Sequence, residues 1–430
     1  MKELPPGWAW TTLGEACEIT QGQSPPGSSY NALGQGLPFF QGKADFGEMH
    51  PTARSWCSAP QKLAAVEDIL ISIRAPVGPT NIAAEHCCIG RGLAALRARG
   101  DIHQRYVLHW LRLTEPELGH KASGSTFAAI TGTQLAAHPL PLAPLDEQRR
   151  IVAEIEKQLS HLEAAITSTR DAGGRTASLR SAVLENVFSR PGYPLVPLGT
   201  LISSGPQNGI YKPSEAYGTG TPIIRIDDFQ DQFLRDRSAL RTLASDSDEL
   251  STYGLHIGDL VINRVNSMTH LGKCFVVPEG ICPAVFESNM MRLSLIPSVT
   301  PRWVALYLQS PSGRGRLIQN AKQAVNQASI NQRDVCSTPV PMPRSAQEQA
   351  RQLERLEMHL DSVRAFRTAC DLAQARATRL RQAILHKAFE GKLVSQDPND
   401  EPASVLLDRI RATRAQTPAR RAPRKREVHA

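Results

Sequence analysis

Side chains able to grip nucleic acid gather in loops in two regions of this chain. The first region holds Gln21, Gln23, Lys43, Arg74, Arg91, Lys121, Ser123, Ser125 and Thr126. The second holds Gln207, Asn208, Lys212, Arg225, Asn263, Arg264, Asn266, Asn289, Lys322, Gln323, Asn326 and Gln327. Arg and Lys can take guanine bidentately, Asn and Gln suit adenine, and hydroxyls serve either. Any one of these residues alone is an ordinary loop residue, and the grouping carries the reading. The runs "NRVNS" and "KQAVNQ" put several base-reading types together at the ends of predicted strands and helices. These regions are not uniformly basic, which fits base readout with some phosphate contact better than non-specific coating.

Enzyme chemistry finds no counterpart in the sequence. "GLPFFQGKA" has five residues between Gly36 and Gly42 and an alanine where a phosphate loop needs a hydroxyl for magnesium. No G-x-G-x-x-G opens a helix after a strand, and H-E-x-x-H and G-x-S-x-G are missing. There is no Asn-Pro-Pro-aromatic stretch of the kind amino-methyltransferases use on a flipped base. The histidines, such as His103, His109 and His120, are scattered, and His109 in "VLHWLRL" reads as packed on a helix. The eight cysteines form no C-x-x-C, so neither a disulfide framework nor a zinc site is expected. "EHCC", with His86, is the one metal-like cluster, but adjacent cysteines on a strand point to opposite faces. No catalytic residue, metal or cofactor is assigned.

A chain of 430 residues exceeds one ordinary core, and 41% apolar with 21% charged residues is a globular composition. The opening "MKELPPGWAW" lacks a signal-peptide core and no apolar run reaches bilayer length, so a cytoplasmic protein without membrane partners is expected. The net charge of +8 is uneven. Residues 401–430 hold eight Lys/Arg and three acids, a net +5, which leaves +3 for the rest. The basic end reads as a solvated, disordered tail.

The elements that must position the loops are written twice. "LDEQRRIVAEIEKQL" starts a helix after the proline-studded "HPLPLAP", and "SAQEQARQLERLEMHL" echoes it after "TPVPMPR". Aligning Gln148 with Gln349 brings Phe188 onto Phe389 and Leu179-Arg180 onto Leu380-Arg381. The apolar stripe Val152, Ile155, Leu159, Leu162 coincides with Leu353, Leu356, Leu360, Val363. It resumes at Leu179 and Val183, matching Leu380 and Ile384, so these twelve residues are read as a coiled-coil seam. Gly173-Gly174 would make a kink or break plausible, at about 1 kcal/mol per glycine. An unbroken helix from residue 147 to 188 would be about 63 Å long. Upstream of each helix runs a parallel block: a short "LG" element, a Gly/Pro/Ser-rich loop, an acid before a β-rich run ("EDILISIRAPVG", "GDLVINRVNS"), a short helix and a polar loop.

The order of parts resembles the DNA-specificity subunit of type I restriction–modification enzymes. The pieces that carry it are "PLDEQRRIV", "PRSAQEQARQL" and the terminal "AILHKAFEGKLVSQDPNDEPASVLLDRI", with "DILISIRAPVG" and "GSTFAAI" like that family's target-recognition domains. In the second junction Gln352 stands where the first has Ile151. The resemblance implies an α+β fold: two target-recognition domains in pseudo-two-fold tandem, separated by two long helices forming an antiparallel coiled coil. The expected division is 1–145 first recognition domain, 146–190 central helix, 191–346 second recognition domain, 347–393 distal helix, and 394–430 a short helix and basic tail. It further implies a subunit without its own activity. Each domain reads half of a split DNA site, while the coiled coil spaces the halves and docks two methyltransferase subunits. Restriction subunits join through that core. The competing expectations are a single-chain endonuclease or methyltransferase with divergent motifs, and a coiled-coil scaffold.

Overall fold

The computed structural model describes residues 3–122, 129–230, 233–324 and 327–416. Ser123, Ser125, Thr126, Asn326 and the basic end 417–430 therefore lie outside the described residues. Two compact units emerge, Met1–Ser168 with Ala373–Ala430, and Thr169–Leu372.

In the first unit a four-stranded antiparallel sheet runs in the order Cys17–Gln21, Leu93–Ala98, Ile69–Ser72, Thr80–Ile82. Every residue of Ile69–Ser72 is buried, which is why it reads as a near-continuous apolar run rather than an alternation. A second sheet is built around Leu37–Phe40, paired antiparallel with Trp56–Cys57 and parallel with Cys87–Ile89. A third, of two strands, joins Ala9–Thr12 to Pro139–Leu142.

The second unit repeats each layer. Its four-stranded sheet runs Ile202–Asn208, Met290–Leu295, Leu260–Asn263, Cys274–Val276. Tyr217–Ile224 pairs antiparallel with Arg241–Leu243 and parallel with Val285–Phe286. Leu195–Pro197 pairs with Pro339–Pro341. Equivalent strands occupy equivalent places, so the parallel writing of the sequence is a duplicated topology.

The repeated motifs have concrete jobs. In each "LG" the glycine lets a short helix approach closely. A Cβ on Gly14 would sit 2.9 Å from Ala136 Cβ, and one on Gly199 would sit 3.1 Å from Cys336 Cβ. Asp68 and Asp259 are buried turn-closers, accepting the backbone N–H of Ala65 at 2.7 Å and of His256 at 2.8 Å. Gln148 and Gln349 are both buried. Each side-chain carbonyl accepts a backbone N–H at the start of the block's short helix, from His103 and from Thr300, both at 3.0 Å. Such N–H groups have no partner within the helix, so a buried amide from elsewhere must satisfy them. The prolines of these strands lack donors but offer carbonyls. Tyr106 and Trp110 donate to Pro141 and Pro139, and Trp303 and Tyr307 donate to Pro341 and Pro339.

The two long helices span Leu145–Phe188 and Ala346–Phe389, 44 residues each, and both are continuous. The helix is unbroken at Gly173-Gly174, because packing against the partner helix outweighs the local propensity cost. Within the first unit the helix segments run antiparallel. Glu163 pairs with Arg381 at 3.2 Å, and Ile151, Ile155 and Leu159 share a core with Ile384, Leu385 and Phe389. Within the second unit they do so again. Gly173 faces Cys370, and Arg190 donates to Gln352 at 3.2 Å. Each helix ends on a phenylalanine seated against the aromatic donors of a block. Phe389 lies 5.0 Å from both the Tyr106 and Trp110 rings, and Phe188 lies 4.8 Å from Trp303 and 5.4 Å from Tyr307.

The seam differs from the expected one at two residues. Leu179 and Leu380 are 49% and 52% exposed. The heptad phase set by Val152 and by Leu353 reaches Thr176 and Arg180, and Ala377 and Arg381, one step away from each leucine; Thr176 and Ala377 are buried. Val152, Ile155, Leu159, Leu356, Leu360, Val363 and Ile384 are buried as expected of a seam, while Leu162, Val183 and Leu353 are half-buried. After the distal helix, Gly391 takes φ +67° in a left-handed cap, with Lys392 N–H bonded to Lys387 O at 2.8 Å. The chain then returns to the first block as a helix, Ala403–Gln416, whose Ala403, Leu406, Leu407 and Ile410 join that block's core.

Candidate nucleic-acid interface

Most of the sequence candidates map onto two corners of the duplicated topology. The first corner lies where the strand after the "LG" element meets the turn before the last sheet strand. In the first unit Gly22 N–H bonds to Leu93 O at 2.9 Å and Gln23 N–H to Ile89 O at 3.0 Å. In the second unit Gly209 N–H bonds to Met290 O at 3.1 Å and Ile210 N–H to Phe286 O at 2.9 Å. Gln23 and Arg91 therefore occupy the places held in the second unit by Ile210 and Ser288.

The same corner is built differently in the two units. In both units a glycine meets backbone here: a Cβ on Gly22 would fall 2.1 Å from Gly90 O, and one on Gly209 would fall 2.3 Å from Glu287 O. The units part at the next position but one along the turn, where the first has Gly92, whose Cβ would fall 2.2 Å from Gln41 O, and the second has Asn289. Gln23 and Arg91 are exposed, as is Lys43, two residues after Gln41. In the second unit the corner opens into a cleft of about 510 Å³. Three predicted residues, Lys212, Arg225 and Asn289, line it, together with Tyr211, Tyr217 and Arg241, which the sequence reading passed over. Tyr211 is 82% exposed, and a tyrosine-bracketed lysine in the Gly- and Pro-rich "GIYKPSEAYGTG" was a usable signal for it. Arg241 sits in an unremarkable strand sequence and gave none.

Charge in the cleft is mostly committed. Lys212 pairs with Glu249 at 2.5 Å. Arg225 pairs with Glu287 at 3.2 Å, which also accepts the Ile226 N–H at 2.6 Å. The Arg241 guanidinium and the Asn289 amide carry no hydrogen bond or ion pair among the described residues.

The second corner brings "NRVNS" and "KQAVNQ" into one small sheet. Val265–Asn266 pairs with Gln327–Ser329, which pairs with Lys322–Ala324. Lys322, Gln323 and Gln327 are exposed, and Asn266 is half-buried. Asn263 is buried at 1% exposure, and its amide lies among Val265 O, Asn289 O and Asn266 Nδ2, so it braces the corner rather than presenting itself. Arg264 spends one guanidinium N–H on Ser288 O at 3.1 Å. In the first unit the matching bridge pairs Arg74 with Ala129, and Arg74 is exposed. Gln21 lies over Gly132, Lys121 reaches His138 Nδ1 at 3.4 Å, and Gln207 donates to Asn208 O at 3.0 Å.

Cys87 and Cys88 of "EHCC" are both fully buried, and burial pushes their thiols up to about 12 and about 11. They are protonated packing residues at neutral pH. No helix among the described residues is long and apolar enough to cross a membrane.

Residues 5–170 match the family model of the type I restriction modification DNA specificity domain. The chain is 24% identical to the type I restriction enzyme EcoKI specificity subunit of Escherichia coli K12, over 79% of this chain and 78% of that one. It is 25% identical to the StySPI specificity subunit of Salmonella potsdam, again over 79% and 78%. Among solved structures, the HsdS subunit of Thermoanaerobacter tengcongensis is 55% identical over 38% of this chain and 40% of that one, with a TM-score of 0.36. Residues 5–170 carry a type I restriction–modification DNA specificity domain, and most of the chain is similar to specificity subunits of that class.

Proposed function

We propose that each globular block reads one half of a bipartite, asymmetric DNA site. The paired helices set the spacing between the halves and dock two methyltransferase subunits, through which restriction subunits join. The observation that carries this reading is the duplicated corner. Topology repeats there, yet one copy offers the exposed Gln23 and Arg91, and the other offers Lys212, Arg225 and Asn289 around a cleft. Conserved scaffolding with divergent contact chemistry is what two readers of different short sequences require, since phosphate contacts position and side chains at base edges specify. The exposed residues of the second corner, Lys322, Gln323 and Gln327, add cation and amide donors.

The test is to replace residues 1–145 with another recognition domain of the family and sequence the methylome of cells carrying the assembled complex. One half of the methylated motif is expected to change and the other to persist. A motif altered in both halves would defeat independent reading.

A further inference from the structure

The second unit's cleft has a shape and chemistry that groove contact alone does not explain. A major groove admits protruding elements, a helix or a two-stranded ribbon. A concave site of about 510 Å³ instead receives something that protrudes from the DNA. A phosphate alone would need only a cation. This cleft adds two phenol rings, Tyr211 at its rim and Tyr217 packed on the small core of Ile210, Ile223, Leu243 and Val285. It also adds an amide, Asn289, with no protein partner among the described residues. Lys212 and Arg225 are neutralised by Glu249 and Glu287, so Arg241 supplies the one uncommitted positive charge among the lining side chains. A stacking face, an edge-reading amide and one cation together match a single nucleotide taken out of the base stack.

We propose that this cleft holds one unstacked nucleotide of the second half-site. Tyr211 stacks on the base, Asn289 reads its edge, and Arg241 contacts the adjoining phosphate. This rests on the DNA-specificity reading above. It also separates the two blocks: the first unit has Gly92, close against Gln41 O, where the second has the amide of Asn289.

The experiment uses the full chain assembled with its methyltransferase subunits and duplexes carrying the methylome-derived target. 2-Aminopurine replaces each purine of the second half-site in turn on both strands, so every base pair is sampled. A several-fold fluorescence rise is expected at one pair other than that of the methylated adenine. It should vanish in Tyr211→Ala, persist in Tyr211→Phe, and be accompanied in Tyr211→Ala by roughly ten- to a hundred-fold weaker binding, the loss of one base–aromatic stack. Asn289→Ala should relax the methylated motif at that position alone, and unchanged letters in the first half-site verify that the variants fold. Sequence-specific binding with no such response, or a response indifferent to Tyr211→Ala, overturns the cleft proposal and leaves the general reading standing. A wild-type complex that binds all duplexes alike overturns both.

Discussion

His109 shows what a buried polar residue costs this fold. It is 2% exposed, and neither ring nitrogen has a partner among the described residues. Burial, with the nearby Arg112 guanidinium adding to it, drives its pKa down to about 3. His138, also buried, falls to about 4 for the same reason, with Lys121 contributing. Both are neutral in the folded chain at pH 7. Between pH 6.5 and the folded values the unfolded chain binds protons that the folded chain does not, so stability is full above about pH 6.5 and declines as pH falls. His109→Leu keeps the volume and removes two unsatisfied nitrogens. It should raise unfolding free energy by about 1–2 kcal/mol and flatten the acid slope of the melting temperature. Unchanged stability with an unchanged slope would mean that the imidazole is solvated after all.

At the scale of elements, the long helices owe their continuity to a seam that tolerates weak positions. Gly173, Thr176 and Arg180 in one, and Gln374, Ala377 and Arg381 in the other, fall in heptad phase between apolar ends. The leucines beside them, Leu179 and Leu380, face outward. Leu380→Gln should therefore change stability by no more than about 0.5 kcal/mol, while Leu356→Ala, at 0% exposure, should cost about 2–5 kcal/mol in denaturant titration. A large loss at Leu380 would place it in the seam. The junction glutamines are a different kind of support. Gln349→Leu removes the acceptor of the half-buried Thr300 N–H and should cost about 0.5–1.5 kcal/mol, the net worth of one hydrogen bond, where a surface Gln→Leu would be nearly neutral.

At the scale of the molecule, each compact unit combines one block with half of each long helix, so neither block is an independent bead on a string. Phe188 and Phe389 lock helix ends into the aromatic pairs of the blocks. Under the proposed reading, the spacing between half-sites is written in helix length. Inserting two heptads at matched positions in both helices preserves seam phase and adds about 21 Å at 1.5 Å per residue. At about 3.4 Å per base pair the spacer between half-sites should lengthen by up to about six base pairs, with both half-site sequences kept. Methylome sequencing reads this directly, and an unchanged spacer would refute the ruler.

Repetition, helix length and class were legible in the sequence, because periodicity and fixed offsets are properties of residue order. The "EQ" junctions, the "LG" elements and the buried acids could be found as echoes, though not explained. Their partners, His103, Ala136 and Arg97 in the first unit, lie tens of residues away, and only folding brings them together. The seam at Leu179 was misjudged for a related reason: a leucine one step from the heptad phase looks equivalent in composition, and only the packing of two helices chooses between neighbours. Asn263 looked like a reader because its type suits adenine; its burial is a tertiary fact. Sequence alone thus determined that two like units exist and which loops gather base-reading side-chain types. Tertiary structure decided that a cleft opens beside the second unit's corner and which side chains line it, because that depends on which strands and loops approach each other, and chain order does not encode this locally.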